Sequence, residues 1–459
     1  MIPETIAAIA TPMGGGIGII RISGEKAEAV ARRIFRRGGV ERTQARWSSH
    51  RLYYGHIIDC VSHQVIDEVL LALMRAPHSY TREDVVEIQC HGGAAVLARI
   101  LEQVLASGVR MAEPGEFTRR AFINGRIDLS QAEAVADVIN ARSRMALEMA
   151  EVQLSGKFRQ RVEFWTERLN SWLAELQAEI EFGDEIETAS CRQGLHGKIE
   201  NEILRPMDGL IRNFEQVHVV RDGVRISIAG RPNVGKSSLL NRLLKQERAI
   251  VTPLAGTTRD AIEQGCTIGG IPVQLVDTAG IRPSHDPIEC MGVGKAREAI
   301  GTADLVLFVI DGRANMNDDD RHALAAVAGR KMILVINKID LLDNRRFEMR
   351  VPAQTAAVVG VSALTGEGIR ELEEVIARQC VETEKLSGPA VIPTVRQKTA
   401  LETSQKFLQK ACEGLRQGVS EELLVYDLSD AVSALQMITG EQADSDLLDQ
   451  IFSRFCIGK

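Results

Sequence analysis

Apolar positions change their spacing three times along this chain. In the first 120 residues they come in short runs: residues 18–22, 68–74 and 85–89 predict strands, and residues 94–106 predict a helix. From about residue 129 to 187 the pattern lengthens into helices with little interruption. There Phe158, Val162, Trp165, Leu169, Trp172, Leu176 and Ile180 recur at spacings of three and four, which makes one apolar face. Between about 219 and 380, strand-like runs at residues 224–229, 273–276, 332–336 and 358–361 alternate with helical patterns, as a parallel sheet with crossover helices requires. Beyond Gly388, Pro389 and Pro393 helical spacing returns, with Leu424, Leu428, Ala431, Val432, Leu435 and Ile438 on one face.

Each flanking helical segment carries an apolar stripe that must be buried. Packing the two together makes the central α/β module an insertion whose ends lie close in space. The expected fold class is therefore multidomain α/β plus α. An N-terminal α+β domain spans residues 1–120, a discontinuous helical domain spans 121–218 and 381–459, and an inserted Ras-like α/β domain spans 219–380.

Composition narrows the class without changing this outline. A chain of 459 residues has room for about three domains. Hydrophobic residues at 45% and charged residues at 25% suit a globular protein. The formal charge of −7 gives no global nucleic-acid signal, so any RNA contact needs a local basic patch. Eight cysteines without a Cys-x-x-Cys pair support neither a zinc cluster nor a disulfide framework, and reduced thiols in the cytoplasm are expected. No run approaches the roughly 20 apolar residues needed to span a bilayer, so no membrane association is expected.

The chemistry is concentrated in the central module. After the strand pattern at 224–229 comes Gly230-Arg231-Pro232-Asn233-Val234-Gly235-Lys236-Ser237-Ser238, which fits G-x-x-x-x-G-K-[ST] between a strand and a helix. Glycines let backbone N–H groups approach phosphates, Lys236 bridges the outer phosphates, and the Ser237 hydroxyl suits Mg²⁺. A second apolar strand ends in Asp277, Thr278, Ala279 and Gly280, placing a carboxylate toward Mg²⁺ and a glycine N–H beside a γ-phosphate. The strand at 332–336 closes in Asn337, Lys338, Ile339 and Asp340. A carboxylate there accepts two hydrogen bonds from the N1–H and amino group of guanine, whereas adenine would leave it unpaired. Ser362, Ala363 and Leu364 follow the next strand and offer a backbone N–H to the guanine carbonyl. Three motifs in this order point to GTP.

The region between the first two motifs bears on hydrolysis. Residues 249–260 read Ala-Ile-Val-Thr-Pro-Leu-Ala-Gly-Thr-Thr-Arg-Asp, and the Thr258 hydroxyl is placed to complete Mg²⁺ coordination. Ile281 follows Gly280 where Ras-type enzymes carry a water-orienting glutamine, a task isoleucine cannot perform. Hydrolysis then needs another water-positioning group and another positive charge.

This loop, Asn233 in the phosphate loop, and segments at both ends of the chain resemble the MnmE (TrmE) family of tRNA modification GTPases over essentially the whole length. The N-terminal part of the likeness lies at residues 18–24, 81–93 and 115–122. The resemblance implies K⁺ held by Asn233, Thr252, Leu254 and Thr257 when two GTPase domains meet face to face. Pro253, Ala255 and Gly256 complete the expected nucleotide-contacting loop, and Glu289 takes the position of the family's general base. It also implies a homodimer formed by the N-terminal domain, which binds a 5-formyl-type tetrahydrofolate derivative through Arg21, Glu87 and Arg126. Chemically, two cations suit a glutamate tail and a carboxylate suits a pterin's donor edge.

The chain ends Phe455-Cys456-Ile457-Gly458-Lys459, the family's signature ending. In the family this cysteine, here Cys456, matters for modification, and the final lysine, here Lys459, approaches the folate. The implied activity is K⁺-dependent GTP hydrolysis. With the FAD-dependent partner MnmG, it serves to add an aminomethyl or carboxymethylaminomethyl group to C5 of the wobble uridine in certain tRNAs. The alternatives are a ribosome-assembly GTPase of the Era or Der type and a regulatory GTP switch. The first shares the phosphate motifs but has no reason to end in Cys-Ile-Gly-Lys.

Overall fold

In a computed structural model of the chain, the described residues are 4–37, 47–141, 143–182, 194–222, 224–246, 263–269, 271–277, 301, 303–314, 316–342, 355–380 and 391–459. The N-terminal elements are β1 (Ile6–Ile9), β2 (Ile17–Ser23), α1 (Ala27–Ile34), β3 (Phe35–Arg37), β4 (Arg51–Ile58), β5 (Val65–Met74), β6 (Val85–His91), α2 (Ala94–Leu105), β7 (Arg110–Met111) and α3 (Glu116–Ile123). They form a seven-stranded sheet in the order β3-β4-β5-β6-β2-β1-β7, antiparallel except where β1 meets β7.

Alternation decides which face each residue takes. Ile20, Ile22, Leu71, Leu73, Val86 and Ile88 are fully buried in one core with Leu97, Ile100 and Val104 of α2. Gly18 is required there, because a Cβ would lie 2.7 Å from Leu97 Cδ2. The opposite face carries Arg21 paired with Glu87 across the ladder, and Tyr54 paired with Leu70. Leu52, Tyr54 and Leu70 stay exposed on it.

Helices α4 (Leu129–Asn140), α5 (Arg144–Leu154), α6 (Lys157–Phe182), α7 (Leu195–Ile199) and α8 (Arg205–Asp222) follow, with a single π turn at Glu200–Leu204. Ser143 starts α5 by accepting the Ala146 N–H at 3.1 Å. The stripe read along α6 is buried from Phe158 to Leu176, but Ile180 is 41% exposed, near the helix's end.

The central α/β part contains β8 (Val224–Ala229), α9 (Lys236–Gln246), β9 (Glu263–Ile268), β10 (Ile271–Asp277), β11 (Leu305–Asp311), α10 (Asp318–Ala326), β12 (Met332–Asn337), β13 (Thr355–Val361) and α11 (Ile369–Cys380). Its six strands run β13-β12-β11-β8-β10-β9, all parallel except the β9–β10 hairpin. Strand β11 is buried throughout, as expected of a strand with helices on both faces. The chain closes with α12 (Val395–Gln417), α13 (Glu421–Thr439) and α14 (Ser445–Phe452).

Two compact units result. One comprises Met1–Ala136, Phe158–Cys191 and Lys406–Lys459, and the other Asp137–Lys157 and Arg192–Gln405. Within the first, Phe452 and Phe455 pack with Leu129, Ala132 and Phe122, so the end of the chain shares a core with the start of α4. Helices α6, α13 and α14 fall in the first unit, whereas α5, α7, α8 and the first part of α12 fall in the second with the α/β part. The multidomain α/β plus α class read from the sequence is what the chain adopts.

Candidate functional site

Phosphate-type geometry begins where β8 ends. Gly230 has φ +142° and lies so close to β11 that a Cβ would sit 2.2 Å from Val309 O. Asn233 takes φ +65°, a left-handed conformation that asparagine tolerates better than most residues, and Gly235 follows at φ +98°. Lys236 opens α9, is 7% exposed, and donates to Gly230 O and Arg231 O at 2.8 Å each. Its ammonium is thereby held inside the loop's own curve. Ser237 and Ser238 stand exposed on the first turn of α9, whose N–H groups and positive dipole end favour an anion.

The residues read as base-recognising are tied to this loop by one side chain. Asn337 is 2% exposed and donates from Nδ2 to Val234 O at 2.8 Å. Its Oδ1 accepts from Lys338 N at 2.9 Å and from Ala363 N at 3.0 Å. Lys338 adopts φ +68° and donates to Asn233 O at 2.9 Å and to Asp311 Oδ2 at 2.7 Å. Ile339 and Asp340 lie in the following 3₁₀ turn, with Asp340 exposed. Ser362 is fully buried and its hydroxyl accepts from Thr365 N at 3.1 Å, while Leu364 is 79% exposed. Three stretches far apart in sequence are thus brought within hydrogen-bond reach of each other.

Sequence reading missed three contributors. Asp311 ends the buried strand β11, and Arg313 donates to it from Nε at 3.0 Å and from Nη2 at 2.7 Å. That guanidinium, with Lys338 beside it, holds the Asp311 carboxyl well below the usual carboxylate range despite burial. Arg242 of α9 donates to Ala363 O at 3.1 Å and also to Leu364 O. A strand-terminal Asp after an apolar run was the available signal for Asp311. Arg242, on a helix face, gave none. Asp277 ends β10, whereas Thr252, Pro253, Leu254, Ala255, Gly256, Thr257, Thr258, Thr278, Ala279, Gly280, Ile281 and Glu289 lie outside the described residues.

A second cluster forms in the other unit. Arg21 donates from Nε to Glu87 at 2.9 Å and from Nη1 to Gly458 O at 3.1 Å. Its guanidinium lies 5.8 Å from the Tyr80 ring centre, and that of Arg126 lies 4.9 Å from the same ring. Gly458 takes φ +93° where a Cβ would meet Ile9 O at 2.4 Å, so the last residues lie directly on β1. Lys459 donates its N–H to Cys456 O at 3.3 Å. Of the residues read as folate contacts, Arg21 and Arg126 meet at Tyr80, Glu87 is held by Arg21, and Lys459 lies in the C-terminal turn whose Gly458 carbonyl Arg21 takes.

Cys456 is exposed, while burial pushes the thiols of Cys90 and Cys380 up to about 11. Only the thiolate alkylates readily. Brief iodoacetamide treatment of the native chain at pH 8, followed by peptide mass mapping, is expected to label Cys456 well before Cys90 or Cys380. Equal labelling of all three would contradict this arrangement.

Comparison with known proteins adds the family. The model "GTP-binding protein TrmE N-terminus" matches residues 5–126, and the model "MnmE helical domain" matches residues 129–456. The tRNA modification GTPase MnmE of Geobacter sulfurreducens is 45% identical over 100% of both chains. Its counterparts in Symbiobacterium thermophilum and Geobacter metallireducens are 47% and 45% identical over 99% of each chain. Full-length identity at this level, with two family models that together run from residue 5 to 456, places this chain in the tRNA modification GTPase MnmE family.

Proposed function

We propose that this protein is a GTP hydrolase that takes part in tRNA modification. The observation that carries the reading is the Asn337 side chain, which joins Val234 of the phosphate loop, Lys338 and Ala363 in one hydrogen-bonded set. Any base held by Asp340 is then fixed in register with phosphates held by Lys236 and the first turn of α9. Asp340 supplies the guanine preference by accepting two hydrogen bonds, and Lys236 neutralises charge on the outer phosphates.

Ser237 and Thr258 would hold Mg²⁺, with Asp277 reaching it through water. Asn233, Thr252, Leu254 and Thr257 would hold K⁺. The donor chemistry fits at Asn233, whose carbonyl is taken by Lys338 while the residue itself remains exposed in the phosphate loop. Bound K⁺ and Mg²⁺ supply the positive charge that an arginine finger provides elsewhere. Glu289 is the proposed base, acting in place of the glutamine absent at Ile281.

Arg21, Glu87, Arg126 and Lys459 are read as the site of a 5-formyl-type tetrahydrofolate. Tyr80, against which both guanidiniums rest, favours a flat heterocycle. The exposed Leu52, Tyr54 and Leu70 on the same sheet face support a homodimer through the N-terminal domain. With an FAD-carrying MnmG-type partner, the product is an aminomethyl or carboxymethylaminomethyl group on C5 of a tRNA wobble uridine, made in the cytoplasm. Cys456, exposed beside this site, is the candidate reactive thiol. Among the described residues no helix is long and apolar enough to cross a membrane.

Three outcomes are expected. Nucleoside analysis of bulk tRNA from cells lacking the protein loses the modified wobble uridine, and unchanged wobble uridines would end this reading. GTP turnover in matched salts is at least about tenfold faster in KCl than in NaCl, given the charge K⁺ must replace; equal rates remove K⁺ from the mechanism. Asp340→Asn weakens GTP binding roughly a hundredfold or more while improving binding of xanthosine triphosphate, because the pairing of donors and acceptors is reversed. Competition binding with the two nucleotides measures it.

A further inference from the structure

Nearly every backbone N–H in the 362–366 turn is already committed. Ser362 N donates to Glu367 O at 2.9 Å and Gly366 N to Ser362 O at 2.8 Å. Ala363 N donates to Asn337 Oδ1 at 3.0 Å, and Thr365 N to Ser362 Oγ at 3.1 Å. Among the described residues, the Leu364 N–H alone in this turn has no acceptor, and its side chain is 79% exposed.

Arg242 holds the two peptides that meet at this donor. Its Nε donates to Ala363 O at 3.1 Å, and its Nη2 donates to Leu364 O. A peptide unit is planar and trans, so a guanidinium on Ala363 O turns the Leu364 N–H away from α9. Asn337 takes the N–H of Ala363 while Arg242 takes its carbonyl, so that residue is clamped from both directions. Charge adds to the geometry. A carbonyl that accepts from a cation polarises its own peptide and makes the attached N–H a stronger donor.

Arg242 has no competing use. Among the described residues its bonds go to these two carbonyls and to no carboxylate. Lys236 opens the same helix, about 9 Å away along its axis. One rigid element therefore carries a cation of the phosphate loop at its start and a cation of the 362–364 loop further along.

We infer that Arg242 is a positioning residue for guanine recognition, orienting and polarising the Leu364 N–H so that it donates to the 6-oxo group of the base. The inference rests on the reading of this site as a GTP site. It adds a determinant distinct from Asp340, which reads the N1–H and the amino group: the loop refuses a purine that accepts poorly at position 6, even when its N1 edge fits.

Equilibrium binding of GTP and 6-thio-GTP to the full-length chain at pH 7 tests it. The sulfur analogue keeps the N1–H and amino group but is a poor acceptor at position 6. The native chain is expected to prefer GTP by about tenfold, the size of one hydrogen bond. Arg242→Ala is expected to weaken GTP binding by about tenfold and to leave 6-thio-GTP within about twofold, which removes the preference. Arg242→Lys keeps the charge without the planar fork and is expected to fall between the two. Should the alanine variant not fold, the lysine variant carries the same comparison. Equal weakening of both nucleotides overturns the proposal and leaves Arg242 as a staple of the loop. Unchanged GTP binding in both variants, or a native chain indifferent to the sulfur, also overturns it. A native chain that binds no guanine nucleotide ends the GTP reading itself, whereas tight GTP binding with equal losses removes the role of Arg242 alone.

Discussion

The amide of Asn337 is the constraint on which the central module depends. It satisfies a carbonyl of the phosphate loop and an N–H of the 362–364 loop at once, from a position 2% exposed. In a parallel sheet the loops at the carboxyl ends of neighbouring strands have no ladder to hold them together, and a side chain must do so. Asn337 does this for β8, β12 and β13, while Lys338 adds β11 through Asp311. The depressed carboxyl of Asp311 belongs to the same arrangement, because a charge kept ionised in a buried place is what fixes Lys338.

The first unit is organised around its C-terminal turn. Phe452 and Phe455 enter a core with α4, and Gly458 then lies against β1 with its carbonyl taken by Arg21. The buried aromatic pair provides the attachment, and the polar contacts set the position of the last three residues. Cys456 is left exposed between these two anchors. Its accessibility follows from what its neighbours bury, without any special surroundings of its own.

Much of this was legible because hydrophobic spacing is a strong signal. The strands expected at 224–229, 332–336 and 358–361 are found as β8, β12 and β13, and the face on α13 is buried from Leu424 to Ile438. Strands β1, β3 and β7 escaped because runs of two to four residues cannot be told from loops by periodicity. Strand β4 escaped because Leu52 and Tyr54 face outward and break the alternation. Within the site, fixed-spacing motifs named Lys236, Asn337 and Asp340 directly. Asp311 and Arg242 act through contacts between distant segments, which only the folded chain brings together.

Gly235 has a genetic corollary. A Cβ there would come within 2.2 Å of Asn337 Nδ2, so every missense change in that codon wedges apart the phosphate loop and the amide that secures it. Shrinking residue 337 to make room would surrender the bonds to Val234 and Ala363. Neither substitution rescues the other, and drift through single steps is closed. The two positions must be inherited together, as a pair without neutral intermediates.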